Sequence, residues 1–129
     1  MKRATSRKAA RRQALYLLYQ WDLTGQELAS LYEGEPDEFA RSLADAVSRR
    51  AESLDVRITA ASPDWPADRL GTLERNILRI GVYELEEETV PREVAINEAV
   101  VLAKRYASED AARLVNGVLA RIAREEEAA

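Results

Sequence analysis

Six cations stand among the first twelve residues (Lys2, Arg3, Arg7, Lys8, Arg11 and Arg12), and the first acid is Asp22. Such a cluster does one kind of chemistry: it meets phosphate oxygens, arginine through paired N–H donors and lysine as a point charge. The chain as a whole carries a net charge of −4, so everything after residue 12 stands at −10, thirteen cations against twenty-three acids. That asymmetry predicts an anion-binding arm on a body that repels polyanions. A merely solvated basic tail is the bland alternative. Other chemistry is scarce. With no histidine and no cysteine, the commonest general base, thiolate metal sites, disulfides and Ser-His or Cys-His nucleophile arrangements are excluded. The five glycines are isolated, which leaves no phosphate-cradling loop and no dinucleotide turn. The acidic run 86–88 and the pair Glu84 and Glu88 read as a solvated helix end rather than a metal site, because consecutive helical residues point in different directions. The expected protein is not an enzyme and holds no cofactor or metal.

The elements that must position these cations are helical. Four prolines and five glycines punctuate the chain, and no segment alternates apolar and polar residues long enough to argue a strand, so the class is all-α. A chain of 129 residues is long enough for one core. No repeat and no linker divides it, so a single domain over 1–129 is expected, frayed at 1–5 and 125–129. The first helix is expected from Thr5 or Ser6 to about Leu23, where Thr24-Gly25 stops it. A short helical turn follows over 26–32. Pro36 opens a long helix to about Thr59, with Phe39, Leu43, Val47, Leu54 and Ile58 close to one face. Residues 62–66, with Pro63 and Pro66, form a loop. The stretch 68–87 is helical with a break near Gly71. Pro91 starts another helix ending near Tyr106, and Ser108 caps the last. Asn116-Gly117 lies inside that last helix, with the glycine expected to mark close helix packing. No apolar run approaches the roughly 20 residues that cross a bilayer, and the N-terminus lacks a secretory pattern; a cytoplasmic protein is expected.

On the first helix, Ala10, Ala14, Leu17 and Trp21 share a stripe that is the natural core face, and Lys8, Arg12, Leu15 and Tyr19 share a second. Arg7 and Arg11 lie between the two. Cations interleaved with an aromatic on an exposed ridge suit single-stranded RNA, since the charges meet phosphates while a ring stacks a splayed base. Cations in the first turn also oppose the helix dipole, each at a typical cost of about 0.3 to 1 kcal/mol. A purely structural helix would carry acids there, so the cluster points to binding.

Four strings, "ALYLLYQWDLTG" (14–25), "LERNILRIGVYEL" (73–85), "PREVAINEAVVLAKRYASED" (91–110) and "LVNGVLARI" (114–122), resemble the successive signature blocks of the NusB family. They run in the family's order over nearly the whole chain, after an arginine-rich start. The resemblance implies a NusB-like fold of about seven helices in two small packed helical bundles. It implies no reaction, but pairing with NusE, a ribosomal small-subunit protein, and binding of boxA-type single-stranded RNA in nascent transcripts, chiefly of ribosomal RNA operons. The outcome would be RNA polymerase read-through within an antitermination complex. Carried over by position, Arg3, Arg7, Lys8, Arg11 and Arg12 resemble the RNA-contacting N-terminus, and Asp110 matches an acidic position near the RNA. Leu114 stands where a relative carries phenylalanine; Arg105 and Arg113 flank this region as further phosphate contacts. Tyr19 and Glu74 match positions at the NusE interface. The residues one turn from Glu74 are Leu70, Gly71, Ile77 and Leu78, none a cation, which favours a partner contact over an intrahelical ion pair. Asn97 and Asn116 are expected to make helix-packing hydrogen bonds, and Trp21 and Trp65 to anchor the core.

Two other readings stay open at this level. One is a helical protein–protein adaptor with a solvated basic tail. The other is the detached RNA-binding domain of a ribosomal RNA methyltransferase, although the chain contains neither a Rossmann segment nor a catalytic cysteine. The basic and aromatic ridge is also open to self-association, so a homodimer without NusE belongs to the same expectation.

Overall fold

In the computed structural model the described residues are 6–128, and they form six α-helices and two 3₁₀ turns with no strand among them. The first helix, α1 (Arg7–Thr24), is capped by Ser6, whose hydroxyl accepts from the Ala9 N–H at 3.1 Å, and it ends on Gly25 at φ 75°. A left-handed cap of this kind favours glycine. A 3₁₀ turn, Leu28–Leu31, leads to α2 (Glu38–Arg49), capped by the Asp37 carboxylate on Ala40 N–H. Helix α3 (Ala51–Ala61) follows at once. The loop and a 3₁₀ turn, Ala67–Arg69, bring the chain to α4 (Thr72–Glu87), with Gly71 as its N-cap. Helix α5 (Arg92–Tyr106) starts behind Pro91, and α6 (Glu109–Ala128) behind Ser108, whose hydroxyl accepts from Ala111 N–H.

Helix α4 is the centre of the molecule and touches each of the other five α-helices. Its residues 76–82 are buried without interruption, which is the pattern of a helix enclosed on all sides rather than one lying on a core. Helices α5 and α6 pair across a two-residue connection and pack on α4 as one small bundle; α1, α2 and α3 enclose its remaining sides.

Several expectations are corrected. The helix foreseen from Pro36 to Thr59 breaks at Arg50 (φ −102°, ψ 9°). Ala40, Leu43, Val47, Ala51, Leu54 and Ile58 are all buried, so the three- and four-residue spacing continues through the bend and hides it from periodicity. Hydroxyls of Ser48 and Ser53 donate to the carbonyls of Asp45 and Arg50 on either side, a competition with backbone pairing that bends helices. Helix α6 continues through 125–128, where Glu126 accepts from Arg57 of α3 at 2.8 Å and Arg92 of α5 pairs with Glu127 at 3.1 Å. The fraying expected over 1–5 lies outside the described residues. Trp65 does not anchor the core but is 55% exposed, on the loop that follows α3, where Pro66 after it keeps its backbone out of the helical region.

Gly117 does not mark close packing either. It is exposed, and a Cβ there would meet nothing within 4 Å, whereas a Cβ on Gly81 of α4 would lie 2.6 Å from Leu119 Cδ1 of α6. Leu119 is fully buried and has no room to retreat. Asn97 and Asn116 are exposed rather than engaged between helices. Opposite outcomes are therefore expected from one substitution at the two glycines. Gly81→Ala should destabilise the protein by about 1–3 kcal/mol through overpacking, and Gly117→Ala should stabilise it by up to about 1 kcal/mol through helix propensity. Urea unfolding of both variants checks this, and a shift in the same direction would contradict the packing described.

Candidate nucleic-acid interface

Helix α1 buries the expected stripe at Ala10, Ala14 and Leu17, with Trp21 only partly buried, but its inward face is broader than expected and extends to Arg11, Leu15 and Leu18. Its buried residues are Ala10, Arg11, Ala14, Leu15, Leu17 and Leu18, so the inward face is centred on Ala14 and Leu18, and the outer ridge runs through Lys8, Arg12, Tyr16 and Tyr19. Leu15 leaves the ridge for the core, and Tyr16, 54% exposed, takes its place.

The broader buried face takes in Arg11, so the structure sets it apart from the exposed cations of the ridge. Arg11 is 3% exposed and grips Glu84 of α4 with two donors, Nε to Oε1 and Nη2 to Oε2, both at 2.8 Å. Hydrogen bonding to Glu84 outweighs the cost of burial and holds the guanidinium above its ordinary pKa. A buried carboxylate on the central helix needs a cation, and α1 supplies it; the charge is spent inside the protein.

The remaining expected residues are distributed as follows. Arg3 lies outside the described residues. Arg7 is exposed and stacks over the Phe39 ring of α2 at 4.4 Å. Lys8, 69% exposed, reaches Glu98 of α5 at 3.6 Å; pairs this exposed exchange readily for another anion. Arg12, Tyr19 and Glu74 come together with Tyr16, Leu73 and Tyr106 around a surface hollow of about 500 Å³. A second hollow of about 420 Å³ shares Glu74 with the first and adds Asp110, Leu114, Arg69 and Trp65. A third, of about 410 Å³, shares Leu114 and Trp65 with the second and adds Arg113, Gly117 and Arg121. The shared residues make the three a continuous furrow from the basic start of α1, past the first turn of α4, to the middle of α6. Arg105 lines none of them and lies over its neighbour Tyr106 at 5.5 Å. Arg113 pairs with Asp110, both exposed.

Glu74 is the third residue of α4 and bends back over its N-cap, since a Cβ on Gly71 would fall 2.3 Å from its Oε2. An acid there complements the helix dipole. No ion pair to Glu74 is found among the described residues, in keeping with a carboxylate presented to the furrow. Tyr16 and Tyr106 were missed by sequence reasoning. The signal for Tyr16 was present, since it sits four residues after Arg12 and three before Tyr19. Tyr106 arrives from α5, and its place beside α1 is purely tertiary. Among the described residues no cluster of carboxylates could hold a metal ion, and no helix is long and apolar enough to cross a membrane.

The whole chain has close relatives. Residues 8–124 match the NusB family. The transcription antitermination protein NusB of Rubrobacter xylanophilus is 42% identical over 121 residues, spanning 88% of this chain and 87% of that protein. The fold is similar to T. maritima NusB, with a TM-score of 0.83 at 32% identity over 95% of this chain and 94% of that one. It is also similar to a chain in a crystal structure of the antitermination factors NusB and NusE in complex with double-stranded RNA, with a TM-score of 0.81 at 35% identity over 92% and 96%.

The burial of Arg11 separates structure from binding within one cation cluster. Arg11→Ala should cost about 3–5 kcal/mol by stranding Glu84, while Lys8→Ala should cost no more than about 1 kcal/mol. Chemical denaturation decides it: similar small losses for both would mean that Arg11 is not the partner of Glu84.

Proposed function

The chain belongs to the NusB family, and on that premise we propose that it is a non-catalytic transcription antitermination factor. It binds boxA-type RNA of nascent transcripts together with NusE, acts in the cytoplasm within the RNA polymerase antitermination complex, and promotes read-through, chiefly in ribosomal RNA operons. The observation that carries this reading is the first hollow, which gathers Arg12, Tyr16, Tyr19, Glu74 and Tyr106 beside the exposed Lys8. Cations for phosphates, rings for a base or a partner side chain, and an acid for a basic partner group share one surface. Arg12 and Lys8 meet the RNA; Tyr19 and Glu74 meet NusE, Asp110, Arg113 and Leu114 continue the RNA path along the furrow, and Arg105, outside the furrow, adds a phosphate contact from beside Tyr106. The exposed cations alone make a modest site on an acidic body, so RNA and partner surface act together. In the related complex the RNA is double-stranded, whereas the ridge read from the sequence suits a single strand.

Labelled boxA RNA, single-stranded and as a duplex, should be titrated with and without NusE. NusE is expected to tighten single-strand binding about tenfold or more, roughly 1.4 kcal/mol, and Lys8→Glu with Arg12→Glu should remove most of it. Equal and sequence-blind affinity in every case would refute the reading. Three to five phosphate contacts predict a salt slope of about −2 to −3.5 on logarithmic axes for a single strand; a slope near zero would count against the basic ridge.

A further inference from the structure

The third hollow lies beyond every residue that the proposed RNA path uses except Arg113 and Leu114, and its construction is unusual in two independent respects. Trp65 stands on a loop closed by a turn, with its backbone N–H donating to Ser62 O at 2.9 Å, and prolines on both sides of it. More than half of its indole is in water, where a tryptophan forgoes a large hydrophobic gain. Opposite it, Gly117 sits near the middle of α6, which runs through it unbroken. A glycine there lowers helix stability against alanine, and no packing compensates, since the space above it is empty. Each choice works against folding, and both line one hollow of about 410 Å³.

The rim carries Arg113 and Arg121, 72% and 49% exposed, and one acid of the loop, Asp64. Arg121 is held in place by Glu125 at 3.2 Å and by Ala61 O at 3.4 Å. On α6, Asp110, Leu114, Gly117 and Arg121 follow spacings of four, seven and eleven and so form one stripe facing the loop. A flat ring, a floor with no side chain and two flanking guanidiniums match the repeat of base and phosphate along a single strand. Arginine beside an exposed aromatic also adds cation–π attraction to a stacked base.

We propose that this hollow is a second nucleobase subsite for single-stranded RNA, in which Trp65 stacks a base flanking the boxA element, Gly117 leaves room for it, and Arg113 and Arg121 hold adjoining phosphates. The furrow makes it continuous with the first site through Trp65 and Leu114. It rests on the reading that the chain binds RNA with NusE, and it extends that footprint to nucleotides outside the core element.

The test uses the full chain with NusE, boxA RNA, and boxA RNA extended at either end by a short uridine tract. Trp21→Phe leaves Trp65 as the sole tryptophan of the two. Its fluorescence should be quenched by RNA extended at one end and not by the unextended RNA, and that extension should improve affinity about fivefold or more. Trp65→Ala should abolish the ratio of extended to unextended affinity. Gly117→Leu should abolish it too while keeping or raising the thermal midpoint, a split that a structural role for the glycine would not give. Trp65 emission that is indifferent to every extended RNA, or that answers NusE alone, would overturn the proposal, the second outcome making the hollow a protein-docking surface. Unextended boxA binding in the same titration keeps the parent reading separate: its presence with no gain on extension sinks only the subsite, and its absence sinks both.

Discussion

A helix enclosed on all sides and yet carrying charge must draw its counter-charges from the helices around it, and α4 is such a helix. Glu84 takes Arg11 from α1. Arg79, 5% exposed, takes Asp22 from α1 at 3.1 Å and Asp55 from α3 at 2.6 Å. Burial works against the charge on Arg79, but the hydrogen bonds and charges of Asp55 and Asp22 outweigh it and hold its pKa above the ordinary value. Arg75 and Asn76 converge on the same Asp22 carboxylate. Apolar contacts alone tolerate sliding, whereas these bonds hold at one register only, because a shift of one residue would strand buried charge at several kcal/mol per ion. Among the described residues no buried side-chain polar atom is left without a partner.

The furrow is a consequence of that register. Arg11 and Asp22 pin α1 to α4 near both of its ends, which fixes the rotation of α1 and turns Arg12, Tyr16 and Tyr19 outward beside Glu74. The pairing of α5 with α6 then brings Tyr106 and Asp110 to the same edge. Residues with binding chemistry thus sit on helix faces whose opposite sides are committed to the polar spine of α4. Rigid elements of this sort hold a composite surface more accurately than loops.

Much of the fold was legible in the sequence. The caps at Ser6 and Ser108, the stop at Gly25 and the starts behind Gly71 and Pro91 all follow from local chemistry that acts over a few residues. The illegible features are tertiary. Arg11 reads as a surface cation until Glu84, 73 positions away, is known to be buried against it. The same unseen partner hid the full width of the inward face of α1, since a scheme that sorts charged residues outward assigns Leu15 to the ridge. The bend at Arg50 kept its apolar spacing, and Trp65 and Gly117 broke the rules that tryptophans go in and helix glycines pack. Of the site, Arg12, Tyr19 and Glu74 were found by resemblance and do come together; Tyr106 and the hollow beside Trp65 required the assembled helices.

The separation between Arg11 and Glu84 also bears on the order of assembly. Helices α4, α5 and α6 are neighbours in sequence and meet by closing short loops, while docking α1 onto α4 closes a span of 73 residues. Loop-closure entropy grows with length, so contacts of this range form late and are paid for by the groups that make them. Releasing α1 would strand Glu84 and Arg79 on α4, so the helix that carries the basic ridge, though it joins late, is held firmly once docked. A ligand that bound only the docked helix would strengthen that hold by mass action.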